Sequence, residues 1–418
     1  MRLTQPTDTG ATLEQKKRMN RVTDKQTGGV GAPAQGGDIV VAPVTDKRGR
    51  AAFVDLGRRF AAQVPHSVPQ MRSEQLELVD PGKNPFFGHA DVQLFIAHRG
   101  ERAVGRISAH IDRLALEVPA EQGMGPGTGM FGYFDAEDME VATALLAEAE
   151  GWLRAQGMTH VLGPISMSIW EEPGLLVRGQ DHAPMIMMGH HPAHYQGFIE
   201  GNGYTPAKRL YTYDLDVTAE FPPIVQRIVK SGERNPRVRM RKVDLDDYGR
   251  EMEIILEILN DAWSDNWGFV PLTPEEVAHT GKKLRPLIHP ELNRIAELDG
   301  EPVAFMMTLP NVNDLFARTG GKLFPFGWIS TLSWLKYPKG AGMRVPLMGV
   351  RKRLHNSRLA SQLAFMMIGD IRAQAAGKFA SKRGEIGWIL EDNQGMVAIA
   401  DAIDAKINRE YVIYKKQL

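Results

Sequence analysis

At 418 residues, 43% of them apolar, the chain is long enough for two or three domains with real cores. Its 50 Lys and Arg balance 50 Asp and Glu, which excludes a global electrostatic footprint for nucleic acid and confines any charged site to a local patch. The absence of cysteine excludes disulfides, thiolate metal sites and a cysteine nucleophile.

Residues 1–37 are polar and end in the Gly-rich "KQTGGVGAPAQGG", a composition that predicts a disordered tail. Nothing in this tail resembles the apolar core of a signal peptide. No later apolar run reaches the roughly 18–20 residues that span a bilayer. A soluble, cytoplasmic protein is expected. "DIVVAPV" then predicts a strand, and Phe53, Leu56, Phe60 and Val64 recur at helical spacing after it. "VQLFIAHRGERAVGRISAHID" predicts a β-hairpin, "GMFGYFDA" a strand and "EDMEVATALLAEAEGWLRAQG" a helix with acids in its first turn. "THVLGPIS", "HPAHYQGFIEGNGY" and "KRLYTYDLDV" follow as strand, helix and strand.

The second half repeats this order. "RVRMRKVD" predicts a strand and "LDDYGREMEIILEILNDAW" a helix. "ELNRIAELDGEPVAFMMTLP" predicts a hairpin turning at Asp299-Gly300. "RVPLMGV", "RLASQLAFMMIGDIRAQAAG" and "GEIGWILEDNQGMVAIADAI" predict strand, helix, and strand followed by helix, with Asn393 as the last helix's cap. "REYVIYKK" closes the chain as a strand. Two copies of one element order imply two modules, residues 38–217 and 218–418, divided near "TAEFPP".

The order, and above all "RVPLMGVRKRLHNSRLASQLAFMMIGDI" followed by "GEIGWILEDNQGMVAIADAIDAKINREYVIYKK", resembles the GCN5-related N-acyltransferase (GNAT) fold. That is an α/β class with a mixed sheet, here as two modules in tandem. The whole chain is similar to the large bacterial tandem GNAT proteins, and within them to the bacterial ceramide synthases. The resemblance implies acyl transfer from acyl-CoA or acetyl-CoA to a small-molecule or lipid amine, with a long-chain acyl group and a sphingoid-type amine as its finer version. It implies no metal and no nucleic acid, and it allows peripheral contact at the inner membrane surface. The alternative from another class is a non-catalytic acyl-CoA or ligand-binding protein with a degenerate GNAT fold.

In that fold, backbone N–H groups between strand and helix cradle the CoA pyrophosphate. The resemblance places Met348, Gly349, Val350, Arg353, Asn356, Ser357, Arg358 and Asn393 at the cofactor site. The family's Gly-rich pattern is replaced here by Arg353-Leu354-His355-Asn356-Ser357-Arg358, within a stretch, 336–358, that holds seven basic residues and no acid. At the equivalent joint of the first module, Asp135, Glu137 and Asp138 would repel a pyrophosphate. Acyl transfer needs a base, an oxyanion donor and an acid. Glu391 is the expected base and Tyr414 the expected acid. Trp263, Asn266, Trp267 and Phe269 form an aromatic loop where the fold receives its acceptor. Met185, Met187 and Met188, with the pairs Met306-Met307 and Met366-Met367, suit either a core or a lipid chain. His190 and His194 have metal-pair spacing, but Pro192 lies between them and no third ligand is evident.

Overall fold

The chain is described by a computed structural model covering residues 37–320, 327–355 and 357–418. The predicted tail, except Gly37, and Asn356 lie outside the described residues. The first half supplies strands β1 (Ile39–Val44), β2 (Ala90–Arg99), β3 (Arg102–Asp112), β4 (Thr128–Ala136) and β5 (His160–Gly163). The short strands β6 (Ile165–Ser166), β7 (Glu172–Pro173) and β8 (Leu175–Arg178) and the long β9 (Thr205–Asp216) follow. The second half supplies β10 (Val238–Lys242), β11 (Arg294–Leu298), β12 (Glu301–Pro310), β13 (Met343–Val350), β14 (Arg383–Leu390) and β15 (Lys406–Gln417).

Thirteen of these strands form one continuous mixed sheet in the order β1-β2-β3-β4-β5-β15-β9-β14-β13-β12-β11-β10, with β8 attached to β15, while β6 and β7 pair only with each other. The last strand of each half has changed places with that of the other. β15 pairs with β5 of the first half, from Tyr414↔Gly163 to Gln417↔His160. β9 pairs with β14 of the second half, from Arg383↔Asp216 to Leu390↔Leu210. The two exchanged strands pair with each other from Lys406↔Asp214 to Lys415↔Thr205. Sequence periodicity does not reveal this exchange, because an exchanged strand needs the same alternation as one that stays with its own half.

Alternation along the strands sorts side chains onto two faces. On β12, Ala304 and Met306 pack toward helix Arg358–Gly377, while Phe305 and Met307 pack toward helix Tyr248–Trp263. On the first half, Phe95 and Ala97 of β2 face helix Met139–Ala155, and Leu94 and Ile96 face helix Lys47–Ala61. The hairpin at Asp299-Gly300 forms with φ of 54° and 85°, the positive pair that a two-residue turn requires. Thr273 and Glu276 close a capping box at the start of helix Pro274–Leu284.

Each half lacks the strand that should cover β5 or β14, so an isolated half would expose an open sheet edge. The full chain is expected to unfold in one cooperative thermal transition. Residues 37–217 and 218–418, expressed separately, should aggregate, and when co-expressed they should co-purify as a 1:1 complex. Size-exclusion chromatography of the three preparations checks this; a soluble, monomeric 218–418 fragment with a sharp melting transition would count against it.

Candidate active site

The parallel ladder between β13 and β14 spans three pairs, from Met343↔Gly384 to Val345↔Ile386, and then ends. Pro346 follows at once and has no N–H to add a rung. On the other strand, the register with β9 shifts between Ile386 and Ile389. There Gly387 sits at φ 152°, with the β9 backbone so near that a Cβ would lie 2.9 Å from the Tyr211 carbonyl oxygen. The two strands therefore splay into a fork.

Backbone groups at this fork are sorted by the antiparallel alternation of β13 with β12. Arg351 N–H donates to the Val303 carbonyl. Counting down the strand by twos from that bond, Gly349 and Leu347 also face β12, while Met348 and Val350 face the open fork. The Met348 carbonyl, on that side, accepts from Trp263 Nε1 at 3.1 Å. Of the three residues expected at the cofactor site here, Met348 and Val350 thus turn their N–H groups to the fork. Gly349 serves packing instead. A Cβ there would come within 2.9 Å of the Phe305 ring and 3.3 Å of Ala262, so its absence lets helix Tyr248–Trp263 lie close to the sheet.

The fork opens into a cavity of about 700 Å³ between the two halves. Trp263, Asn266, Trp267 and Phe269 all line it. Trp170, from the first half, stacks on Trp263 with centroids 5.8 Å apart and planes at 10°. Phe269 meets Trp170 edge-on at 5.7 Å, and Lys208 lies over Trp267 at 5.5 Å. Ile186, Met187 and Met188 also reach the wall, whereas Met185 is buried. Of the two methionine pairs, Met307 lines the cavity; Met306, Met366 and Met367 are core side chains.

Carboxylates enter this wall from a segment that sequence reasoning passed over. Glu171 adjoins Trp170 and lines the cavity. Its carboxyl makes no hydrogen bond or ion pair with the described residues. Burial, opposed by Lys283 and reinforced by the charges of Glu74, Glu172 and Glu276, pushes it up to about 7. Glu172 is also raised by burial, and its carboxylate lies 3.4 Å from His191 Nε2. Burial pushes His190 and His191 down to about 4, so both are neutral near pH 7. His190 Nε2 is 2.8 Å from the Pro65 carbonyl oxygen, and among the described residues no group of three ligating side chains could hold a metal.

The other expected site residues fall in several places. Asn393 lines the cavity, and its side chain accepts from Met396 N–H at 3.1 Å, capping helix Gln394–Ala402. Ser357 caps helix Arg358–Gly377, accepting from Ala360 N–H. Arg358 is exposed. Arg353 pairs with Glu301 at 2.7 Å, Lys352 with Asp265 at 2.6 Å and Arg351 with Glu257 at 3.5 Å. The basic stretch is thus partly neutralised, and Arg344 is not on its surface at all: it is fully buried.

Glu391 corrects the expectation more sharply. It is exposed beyond the end of β14, off the cavity wall, and its Oε1 accepts from Arg209 N–H at 3.1 Å. Tyr414 belongs to the core of the first half, because the exchange carries β15 there; its hydroxyl donates to Glu200 at 3.1 Å. Neither residue faces the fork.

The first-half fork between β4 and β5 also opens after three pairs, Thr128↔His160 to Met130↔Leu162, but the chain itself fills it. A Cβ on Gly132 would fall 2.2 Å from the Ile165 carbonyl oxygen, and Tyr133 N–H donates to Ser166 Oγ at 3.1 Å. The three acids do not form the bare negative patch expected. Asp135 pairs with Arg106 at 2.7 Å, Asp138 with Arg99 at 3.0 Å, and Glu137 with Arg102. Asp138 also occupies the helix N-terminus, accepting from Val141 N–H.

A parallel ladder that splays into a fork before a capped helix, present in both halves of one chain and open in the second, defines a tandem GNAT fold. The fold matches a tandem GNAT protein from the clavulanic acid biosynthesis pathway, with a TM-score of 0.51 at 11% identity over 91% of this chain and 98% of that one. It also matches a GCN5-related glucosamine N-acetyltransferase region of a fungal multi-domain β-N-acetylglucosaminidase, with a TM-score of 0.52 at 11% identity over 91% and 38% of the two chains. No family model matches the chain. The chain is 42% identical over 382 residues to the bacterial ceramide synthase of Caulobacter vibrioides (strain NA1000 / CB15N), covering 91% of this chain and 98% of that protein. It is 36% identical over 375 residues to protein YghO of Escherichia coli (strain K12), covering 89% and 94%. The chain belongs to the family of these two proteins.

Proposed function

We propose that this enzyme transfers a long-chain acyl group from an acyl-CoA thioester to the amine of a sphingoid-type lipid. The observation that carries this reading is the cavity of about 700 Å³ that runs from the second-half fork into the space between the halves. The name of the Caulobacter relative supports it. Each buried methylene contributes about 0.8 kcal/mol, so five methylenes held in such a channel separate a long chain from acetyl by about 4 kcal/mol.

In this reading the second half alone binds CoA. The phosphates lie at the loop before helix Arg358–Gly377, near Arg353 and Arg358, and the first-half fork is closed by Ile165 and Ser166. The amine enters from between the halves. Glu171 takes its proton, nitrogen attacks the thioester carbon, and Met348 N–H holds the oxyanion. Collapse expels the CoA thiolate, which takes up the proton that the new amide nitrogen sheds. Glu171 fits the base role because a carboxyl that titrates near 7 is both available as the base and strong enough to act at neutral pH.

The same reading places the enzyme against a membrane. Of the eight exposed large apolar side chains among the described residues, Trp328, Ile329, Leu332 and Tyr337 fall within ten residues. They lie on or just after helix Gly327–Lys336. Thr331 and Leu335 of that helix line the cavity, and exposed Lys336 and Lys339 flank the patch. An apolar face with aromatic and basic flanks suits an anionic bilayer surface.

Palmitoyl-CoA should outcompete acetyl-CoA at equal concentration; a preference for acetyl-CoA removes the lipid reading. Glu171→Gln should lower turnover about 10²-fold and abolish a rise in rate as pH increases through 7, while Glu391→Gln stays within about threefold of the parent; a near-normal Glu171→Gln enzyme removes Glu171 from proton transfer. Cosedimentation with vesicles containing phosphatidylglycerol should fall at least about tenfold when Trp328 and Leu332 are both changed to Asp. Unchanged sedimentation would sink the membrane contact.

A further inference from the structure

Arg344 is fully buried on β13, yet its Nε and Nη1 have no hydrogen-bond partner among the described residues. Unpartnered donors on a buried charge are costly and call for an explanation. Arg344 lines the cavity. Its guanidinium lies 4.9 Å from the Trp388 ring centroid, and Trp388 is two residues beyond Ile386, where the β13–β14 ladder ends. The head group therefore leans toward the open fork. Its pairing partner across the ladder, Glu385, directs one carboxylate oxygen to Arg383 at 3.3 Å and leaves the other, Oε1, unpartnered. A second buried guanidinium, Arg409, donates to the His182 carbonyl and likewise leaves Nε unpartnered. Arg344 thus feels one opposing carboxylate, Glu385, and a second cation, Arg409, and keeps donors to spare.

Position along the strand decides what Arg344 serves. The phosphate loop begins at Arg351, about 23 Å up the strand at 3.3 Å per residue, so Arg344 does not reach CoA phosphates. Met348 N–H is about 13 Å away by the same measure, and the Arg344 side chain leans into that interval. A hydrocarbon chain gives a guanidinium nothing to bond. We propose that Arg344 anchors an oxygen function carried by the amine acceptor a few bonds from its nitrogen: a hydroxyl, a carbonyl or a carboxylate. Burial lowers the Arg344 pKa to about 10, which leaves it charged at neutral pH and a strong donor. The inference rests on the acceptor being a lipid amine, and it deepens that reading by naming the residue that holds the oxygen beside the amine.

The test is equilibrium binding, which requires no turnover. Calorimetry would compare a plain long-chain primary amine with the amino alcohol, amino ketone and amino acid of equal chain length, against the full-length enzyme and Arg344→Met. The parent should bind at least one oxygen-bearing amine about 10- to 100-fold more tightly than the plain amine, the range of a hydrogen bond to a charged group, and Arg344→Met should bring the two within about threefold. The identity of the favoured compound separates hydroxyl, carbonyl and carboxylate. Equal binding of all four by the parent overturns the proposal whether or not the variant folds. A variant that keeps the parent's preference, or loses only palmitoyl-CoA affinity, overturns it too. Arg344→Lys, which keeps the charge and loses the fork of donors, should retain part of the preference. If the binding preference is present but no amide forms with any acyl-CoA, the acyltransfer reading fails and the anchor stands.

Discussion

The antiparallel pairing of β9 with β15 holds the rest of the structure in place. Each of these strands comes from one half and completes the sheet of the other, so the two forks are fixed relative to each other by backbone hydrogen bonds rather than by a side-chain interface. Inter-domain contacts within a chain are commonly modest and permit relative motion; a shared ladder does not. That rigidity explains how a cavity between two halves can have a defined wall. Trp170 of one half stacks on Trp263 of the other, and Trp263 in turn donates to the Met348 carbonyl at the fork. A change in the pairing of β9 with β15 would be felt at that carbonyl.

The duplication has left the halves chemically unequal. Both have the parallel ladder of three rungs and the divergence after it. In the second half Pro346 ends the ladder and the gap stays open. In the first half the chain doubles back through Ile165 and Ser166 against Gly132, and the helix terminus beyond is capped by Asp138. What the first half contributes to the site comes from beyond its filled fork: Trp170 and Glu171, on the segment between β6 and β7, and Met187 and Met188 further along the chain.

Much of the fold was legible because it follows from local rules. The hairpin at Asp299-Gly300 and the Asn393 cap were each carried by a few adjacent residues, and the alternation on β12 by a single strand. The aromatic loop from Trp263 to Phe269 was legible as a cluster, and all four of its chosen residues line the cavity. The remainder depended on partners distant in sequence. Glu391 looked like a base because it follows a strand at a helix start, but the neighbouring strand is β9, whose Arg209 N–H takes up its carboxylate. Tyr414 looked close to the fork because β15 was assumed to stay in its own half. Glu171 and Arg344 did leave a trace: paired acids in the apolar "SIWEEPGLL", and one cation in the otherwise apolar "GMRVPLMGV". A charge inside a strand pattern that should be buried is a conflict between local and global preference, and such conflicts mark functional positions.

The distance in sequence between β5 and β15 also bears on how the protein is made. Strand β5 is synthesised more than two hundred residues before its partner, and Leu418 itself donates to the Thr159 carbonyl. Until β15 leaves the ribosome, the nascent first half presents an uncovered β edge. Its pairing is of the long-range kind that forms slowly, and chains in this condition are prone to association. A chain that stops before β15 lacks the middle of its sheet. In this fold a strand made more than two hundred residues after its neighbour joins the two halves into one sheet.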